Sequence, residues 1–393
     1  MIRSGTAGQQ VLITGATGFI GRRLVNRLSS LGYRLRCVVR PMSDTTALLN
    51  KPNVEIVCAD LTDTRSLFDV VRGVEIIYHL ALDYSRPEVD GVRNLLEACH
   101  SNNLRRFVYF SSIAVVGLSA VMEEITESSP CLPDTEYGRA KLRAEELLLQ
   151  AYAKNGFPVV ILRPTSVYGI GETNFWLPVF QAVHSERLVR LFGDGSNLLS
   201  LCFIDNLIDG AVLAHEQDSV TGQVFIISDH RPYSFREVVD AIAESCGVRS
   251  PQGAIPKWLA LPVAQLLDYL WRLELKEPIV PFLPANVTRW IAHYPTSIAK
   301  AKAGLGFKPR INLVEGTRIT ADWYRQNGFL CRPLEWSDGA LSLPAVPVPS
   351  SKLRDRALRA GAGFARLVWR TTALTWRLPP RIVRRVRRLA SSS

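Results

Sequence analysis

The sequence predicts an α/β chain built on a doubly wound parallel sheet, followed by a smaller, partly interleaved C-terminal region and a basic tail. Three observations carry that expectation. Short apolar runs alternate with amphipathic stretches from Gln10 to Pro164, the spacing of repeated strand–helix units. A glycine-rich segment, TGATGFIG (Thr14 to Gly21), sits where the first apolar run ends and the first amphipathic stretch begins. With 393 residues, 47% hydrophobic and 21% charged, the chain has the composition of an ordinary globular core, which argues against a disordered protein.

Taken in order, Gln10 to Thr14 reads as a short apolar strand, and Phe19 to Leu31 places Ile20, Leu24, Val25, Leu28 and Leu31 on one helix face. Strands follow at Leu35 to Arg40 and Asn53 to Asp60, then a helix at Thr64 to Val71 and a strand at Val74 to Leu80. A helix in GVRNLLEACHS, a strand RFVYFSS, a long helix from Tyr137 to Lys154 and a strand PVVILRP complete a nucleotide-type domain over residues 8–164. Residues 165–330 form the smaller region together with the last sheet strands. It holds the runs LLSLCFID and QVFIISD, helices at Asn206 to His215 and Ser234 to Cys246, and a closing helix in LGFKPRINLVEGTRITADWYRQNG. Residues 331–350 read as a proline-dotted linker, and residues 351–393 as the tail.

Charge is concentrated at the end of the chain. Residues 351–393 hold twelve basic residues and one acidic, a balance equal to the whole chain's +11, so the body is neutral. RIVRRVRRLA sets Ile382, Val386 and Leu389 at helical spacing among arginines, and Phe364, Trp369 and Trp376 lie between further arginines upstream. Such a segment suits an anionic membrane surface, the plain alternative being a solvated tail; nucleic acid is not the expected partner. Seven dispersed cysteines without a C-x-x-C pair fit reduced thiols, and six histidines lack ligand spacing, so neither disulfides nor a metal are expected. The N-terminus MIRSGTAGQQ shows no secretory signal, and no run of about 20 apolar residues offers a spanning helix. The expected location is cytoplasmic, peripheral on a membrane.

Glycine is costly in regular structure, so three of them at a strand-to-helix junction imply a sharp turn and the close approach of a ligand. In this context the segment is a dinucleotide fingerprint: the helix N-terminus offers N–H groups and a partial positive charge to a diphosphate. Gly15, Thr17, Gly18, Phe19 and Ile20 are the candidate contacts. Arg40 ends the second strand, where a carboxylate would hold a ribose 2′-OH; an arginine pairs with a 2′-phosphate, so NADP(H) is expected, with NAD(H) as the alternative. Asp60 and Leu61 sit where adenine should lie; Asp60 could equally cap the following helix, and the two roles are compatible. YGRAK puts Tyr137 and Lys141 four residues apart on one helix face, where an ammonium favours the phenolate form of a tyrosine and so makes it usable in proton transfer near neutral pH.

TGATGFIG, ADLTD, HLAL, FSSIAVVG, YGRAK and RPTSVYG, in that order, resemble an extended short-chain dehydrogenase/reductase of the NAD-dependent epimerase/dehydratase superfamily. The resemblance runs over roughly residues 10 to 330 and implies a Rossmann fold with a Ser/Tyr/Lys triad. Tyr137 and Lys141 fall on the family positions. The family's serine, five positions before the glycine closing FSSIAVVG, is Ser112, with Ser111 as its neighbouring alternative. By the same resemblance Ser112 would hold the substrate oxygen and Tyr137 would pass the proton. Leu80 and Ala81 would join the cofactor contacts, and Arg163, Pro164 and Val167 would border the nicotinamide.

Two segments depart from the common pattern. EVDGV (Glu88 to Val92) stands where relatives carry N-V-x-G-T, and Leu199, Ser200 and Leu201 stand where sugar enzymes carry R-D-F. The second departure resembles the 3β-hydroxysteroid and sterol dehydrogenase branch. The stretch from Ala254 to Pro284, rich in leucine, proline and tryptophan, reads as the wall of an apolar pocket or a bilayer contact, or as an ordinary core helix pair. The reading is therefore an oxidoreductase interconverting a secondary alcohol and a ketone on a sterol-, steroid- or isoprenoid-like substrate. A nucleotide-sugar epimerase or dehydratase with tightly bound NAD is the alternative, and a non-catalytic NADPH-binding scaffold or sensor the second. A homodimer is compatible with each.

Overall fold

The computed structural model describes residues 8–49, 51–81, 88–100, 102–117, 123–186, 188, 190–274 and 284–330; the linker and basic tail lie outside the described residues. The strands of the first half are β1 (Gln10–Thr14), β2 (Arg34–Val39), β3 (Val54–Cys58), β4 (Ile76–His79), β5 (Arg106–Phe110) and β6 (Val159–Pro164). Between them lie α1 (Phe19–Ser30), α2 (Thr64–Val71), α3 (Glu88–Cys99) and α4 (Glu136–Asn155). There follow β7 (Ser166–Tyr168), α5 (Trp176–His184), β8 (Leu191–Phe192), β9 (Leu198–Leu199), β10 (Leu201–Phe203), α6 (Ile204–Glu216), β11 (Val224–Ile227) and β12 (Tyr233–Ser234). The last elements are α7 (Phe235–Cys246), β13 (Ala254–Ile255), α8 (Lys257–Glu274), α9 (Pro284–Ile291), α10 (Ala299–Leu305) and α11 (Leu313–Gln326).

Seven strands form one parallel sheet in the order β3-β2-β1-β4-β5-β6-β11. Val11 of β1 stands opposite Leu35 on one side and Ile76 on the other. Because helices cover both faces, β4, β5 and β6 are buried along their whole length, and their sequences are mostly apolar rather than alternating, with His79, Arg106 and Arg163 at or near strand ends. Leu67 and Val70 of α2, Val92 and Leu95 of α3 and Leu148 of α4 pack with Leu12, Phe107 and Ile161 of the sheet into one core cluster. Helix α1 buries Leu24, Val25 and Leu28 and packs with α6. Strand order reverses between β1 and β4, which opens a crevice at their carboxyl ends, the place where open α/β sheets bind ligands.

The chain divides into two compact units. One comprises residues 1–172, 198–233 and 293–316 and contains the whole sheet. The other is built from residues 173–197, 234–292 and the described residues from 317 onward. In this second unit Trp290 is stacked between Phe175 and Phe235, at 5.1 and 5.3 Å between ring centroids. Asn197 Nδ2 donates to the Trp290 and Ala292 carbonyls and so closes the end of α9. Ser234 and Glu237 form a reciprocal capping box at the start of α7, and Gly247, with φ of 70°, ends that helix. Within α8, Ala260, Val263 and Ala264 are buried, whereas Trp258 is 73% exposed. Residues 275–283 of the predicted apolar stretch lie outside the described residues.

Candidate active site

After Thr14 the chain turns through Gly15, whose φ of 72° favours glycine. Space demands it as well: a Cβ there would stand 2.8 Å from Ala81 N and Leu80 C. At Gly21 a Cβ would stand 2.1 Å from the Gly15 carbonyl oxygen, so α1 packs on the loop only because that side chain is missing. Helix α1 opens at Gly18 with no side-chain cap and no acid in its first turn. Its amino-terminal end is therefore electropositive and suited to an anion.

Gly15, Thr17, Gly18, Arg40, Asp60, Leu61, Leu80 and Ala81, all cofactor candidates from the sequence, line one cleft at the β1/β4 reversal. Phe19 and Ile20 begin α1 beside it and are half-buried. Arg40 starts an exposed turn closed by Ser43, whose hydroxyl accepts from Arg40 N at 3.2 Å and whose N–H donates to the Arg40 carbonyl at 3.0 Å. Asp60 Oδ1 accepts from both N and Oγ1 of Thr62. The cap of α2 is Asp63, which accepts from Arg65 N, so the capping role offered to Asp60 belongs to the next acid in the motif. Leu61 is held by Asn94, whose Nδ2 donates to its carbonyl at 2.8 Å. The bare glycine cradle, the uncapped helix and a basic side chain at the far end together fit a dinucleotide.

Thr14, Ser43 and His79 also line this cleft and were not singled out from the sequence. His79 Nδ1 lies 2.8 Å from Thr14 Oγ1, and its ring stacks on Tyr109 at 5.8 Å. Burial, helped by the charge of Lys141, pushes the His79 pKa down to about 3, so the imidazole is neutral at physiological pH.

The catalytic candidates gather at the carboxyl end of β5. Ser112 accepts from Ala114 N at 3.1 Å and starts a single tight turn over Ile113–Val115. Thr135 caps α4 by accepting from Gly138 N at 3.0 Å. Buried Lys141 donates from Nζ to the Phe110 carbonyl at 2.9 Å and stands 5.0 Å from the Tyr109 ring centroid and 5.9 Å from that of half-buried Tyr137. A Cβ on Gly138 would lie 2.4 Å from the Ala114 carbonyl oxygen, so this glycine allows α4 to rest directly on the serine turn. Pro164 closes β6 and Val167 lies in β7; neither lines the cleft at the β1/β4 reversal. Arg163 turns its guanidinium onto Glu145. The Ser111 and Thr165 hydroxyls are buried without a hydrogen-bond partner among the described residues, two donors in reserve at the ends of adjacent strands. No cluster of ligating side chains suited to a metal ion occurs among the described residues.

Residues 11–228 match the model of the NAD dependent epimerase/dehydratase family. The chain belongs to that family, and with it to the extended short-chain group of NAD(P)-dependent enzymes. It is 27% identical over 348 residues to a 3beta-hydroxysteroid-dehydrogenase/decarboxylase isoform 2 of Arabidopsis thaliana, an alignment that covers 79% of this chain and 61% of that protein. It is 26% identical over 318 residues to a 4-hydroxy-2-methyl-3-oxo-4-farnesyl-3,4-dihydroquinoline-1-oxide ketoreductase of Stigmatella aurantiaca, covering 78% of this chain and 94% of that protein. Names of the 3β-hydroxysteroid dehydrogenase type recur among its relatives, the branch that the motifs resemble. Among solved structures, a UDP-glucuronic acid 4-epimerase of Bacillus cereus in complex with NAD shares the fold, with a TM-score of 0.65 at 21% identity over 81% of this chain and 99% of that one.

Proposed function

We propose that the chain interconverts a secondary alcohol and a ketone on a hydrophobic, sterol-, steroid- or isoprenoid-like substrate, with NADP(H) as the preferred cofactor. The observation that carries this reading is the Tyr137–Lys141 pair, one helical turn apart, with the ammonium buried against β5 and anchored on the Phe110 carbonyl. Gly15, Thr17, Gly18, Leu80 and Ala81 would hold the dinucleotide, with Asp60 and Leu61 at adenine and Arg40 at a 2′-phosphate. The bound nicotinamide supplies the hydride acceptor or donor. Tyr137 takes the hydroxyl proton when the alcohol is oxidised and returns it to the oxygen when the ketone is reduced, a role worth about 10²- to 10⁴-fold in rate. Ser112 orients that oxygen by donating to it while charge develops there. Lys141 holds a positive charge beside the phenol and excludes water from its inner side. Relatives named for hydroxysteroid and farnesyl-quinoline ketone chemistry support an apolar substrate, as does the absence of an R-D-F segment at Leu199–Leu201.

Incubating lipid extracts with the protein and NADPH, followed by mass spectrometry, should reveal a species shifted by two hydrogens, and Tyr137→Phe should abolish the shift while still binding NADPH. Turnover by Tyr137→Phe at the parental rate would remove this mechanism. The basic tail is part of the same proposal: it holds the protein on an anionic bilayer, from which its substrate comes. Deleting residues 351–393 should release the protein from anionic liposomes, and undiminished binding would refute the anchor.

A further inference from the structure

Tyr137, Lys141 and Glu145 recur every four residues and so form one stripe on α4. Each of the lower two is tied to a different strand. Lys141 donates to the Phe110 carbonyl at the end of β5. One turn further on, Glu145 accepts two hydrogen bonds from Arg163 on β6, from Nε at 3.0 Å and from Nη2 at 2.6 Å. Both side chains of this ion pair are almost fully buried, at 5% and 1% exposure. Arg163 Nη2 also donates to Cys131 Sγ at 3.3 Å, which reaches the segment leading into α4. Burial disfavours the guanidinium charge, but the hydrogen bonds and charge of Glu145 outweigh that, so the Arg163 pKa is raised and its guanidinium stays charged.

A buried ion pair is a poor stability device, since apolar side chains of the same volume often do as well or better. What it supplies here is geometry and charge balance. A two-pronged arginine–carboxylate contact fixes rotation of the helix about its axis as well as its distance from the sheet. It also keeps the region behind the tyrosine electrically neutral apart from Lys141.

We propose that Glu145 and Arg163 are a positioning pair, setting the orientation of Tyr137 and the charge that its phenol experiences; the inference rests on Tyr137 being the proton-transferring group. Among the described residues, His79 from β4, neutral at physiological pH, and Tyr109 from β5 face Lys141, and Cys131 from the preceding segment meets Arg163. Glu136 and Arg139 in the first turn of α4 are exposed or half-exposed and pair with each other. Among these described groups, Glu145 and Arg163 form the buried ion pair.

The sign of the effect follows. Glu145→Gln leaves the Arg163 guanidinium buried and unpaired beside position 145, whose backbone lies about 12 Å along the helix axis from that of Tyr137. That favours phenolate and should lower the midpoint of Tyr137 ionisation by about one pH unit at an effective dielectric near 20. Glu145→Gln combined with Arg163→Gln removes both charges and should return the midpoint to the parental value, although the catalytic rate stays low because the two-pronged tie is gone. Ultraviolet tyrosinate absorbance, taken as the difference between each protein and the same protein carrying Tyr137→Phe, reads that midpoint without substrate or cofactor. Circular dichroism and NADPH fluorescence confirm folding and nucleotide binding. A single variant that leaves the midpoint unmoved or raises it, or a double variant that fails to restore it, overturns the proposal. In a double variant with apolar replacements, Glu145→Leu with Arg163→Met, retained folding with an unmoved midpoint and lowered turnover supports it, and parental turnover overturns it. Because the titration is independent of turnover, an active Tyr137→Phe would defeat the oxidoreductase mechanism separately.

Discussion

At the β1–β4 end of the crevice the binding surface is mostly backbone, whereas at the β5–β6 end it is held in place by buried charge. The first end depends on atoms that are missing: Gly15 and Gly21 leave room for the β4 end and for α1, and α1 lacks a capping side chain. The second depends on side chains that must be present and tied to their buried partners, namely Lys141, Glu145 and Arg163. Substitutions should therefore injure the two ends through different physics, steric at one and electrostatic at the other.

The largest effect is expected from Gly21→Ala. Its new methyl would meet the Gly15 carbonyl at 2.1 Å, so urea unfolding should show a loss of about 3 kcal/mol or more, with NADPH binding lost. Gly32→Ala provides the matched control. Gly32 has φ of 84° but nothing within 4 Å of a Cβ, so only backbone strain of about 1 kcal/mol should appear. Equal losses at the two sites would break the steric half of the comparison.

Next in size is a pH-dependent effect at Asp229, just beyond β11. Its carboxyl accepts from Phe203 N, Asn206 Nδ2 and Tyr168 OH, yet burial prevails over these bonds and pushes its pKa up to about 7. The fold thus favours the protonated form. Asp229 contributes stability below its ordinary value of 3.8, and that contribution is lost as pH rises toward 7. His79 and His215, both lowered to about 3 with burial as the first cause, act the other way and lose their contribution as pH falls below 6.5. Comparing Asp229→Asn with the parent cancels the histidines. The variant should gain roughly 2 kcal/mol relative to the parent between pH 5 and pH 7, measured by urea unfolding. A pH-independent difference would show that Asp229 is ionised throughout.

The smallest expected change is at Arg40. Arg40→Asp should weaken NADPH roughly tenfold or more while leaving NADH nearly unchanged, as read by fluorescence titration. Parallel losses for both cofactors would deny Arg40 its part in choosing between them.

That the cofactor candidates would gather at one cleft was legible in the sequence because their signals are local. TGATGFIG, the arginine after the second strand and ADLTD each report on a few consecutive residues, and all line one cleft. Tyr137 and Lys141 were legible for the same reason, being one turn apart. Glu145 and Arg163 were not paired from sequence because their meeting depends on β6 lying beside β5 and under α4, a long-range fact. His79 stood in the recognised HLAL motif, but its place on the cleft wall follows from β4 adjoining β1. Helix α5 escaped notice because FWLPVFQAVH has almost no polar face from which to read a period; Trp176, Val179, Phe180 and Val183 are all buried. The sequence offered Asp60 as a possible cap of α2 because Asp60 and Asp63 both precede the helix, and only its true start, after Asp63, separates them.

Gly138 has a wider consequence than the contact it permits. By seating α4 on the Ala114 carbonyl, it lets the helix that carries Tyr137 rest directly against the turn that Ser112 begins. The separation of those two backbones is then set by a contact without an intervening side chain. Such a chain can diversify the surfaces that choose its substrates over evolutionary time without retuning its chemistry, as long as position 138 never acquires a side chain.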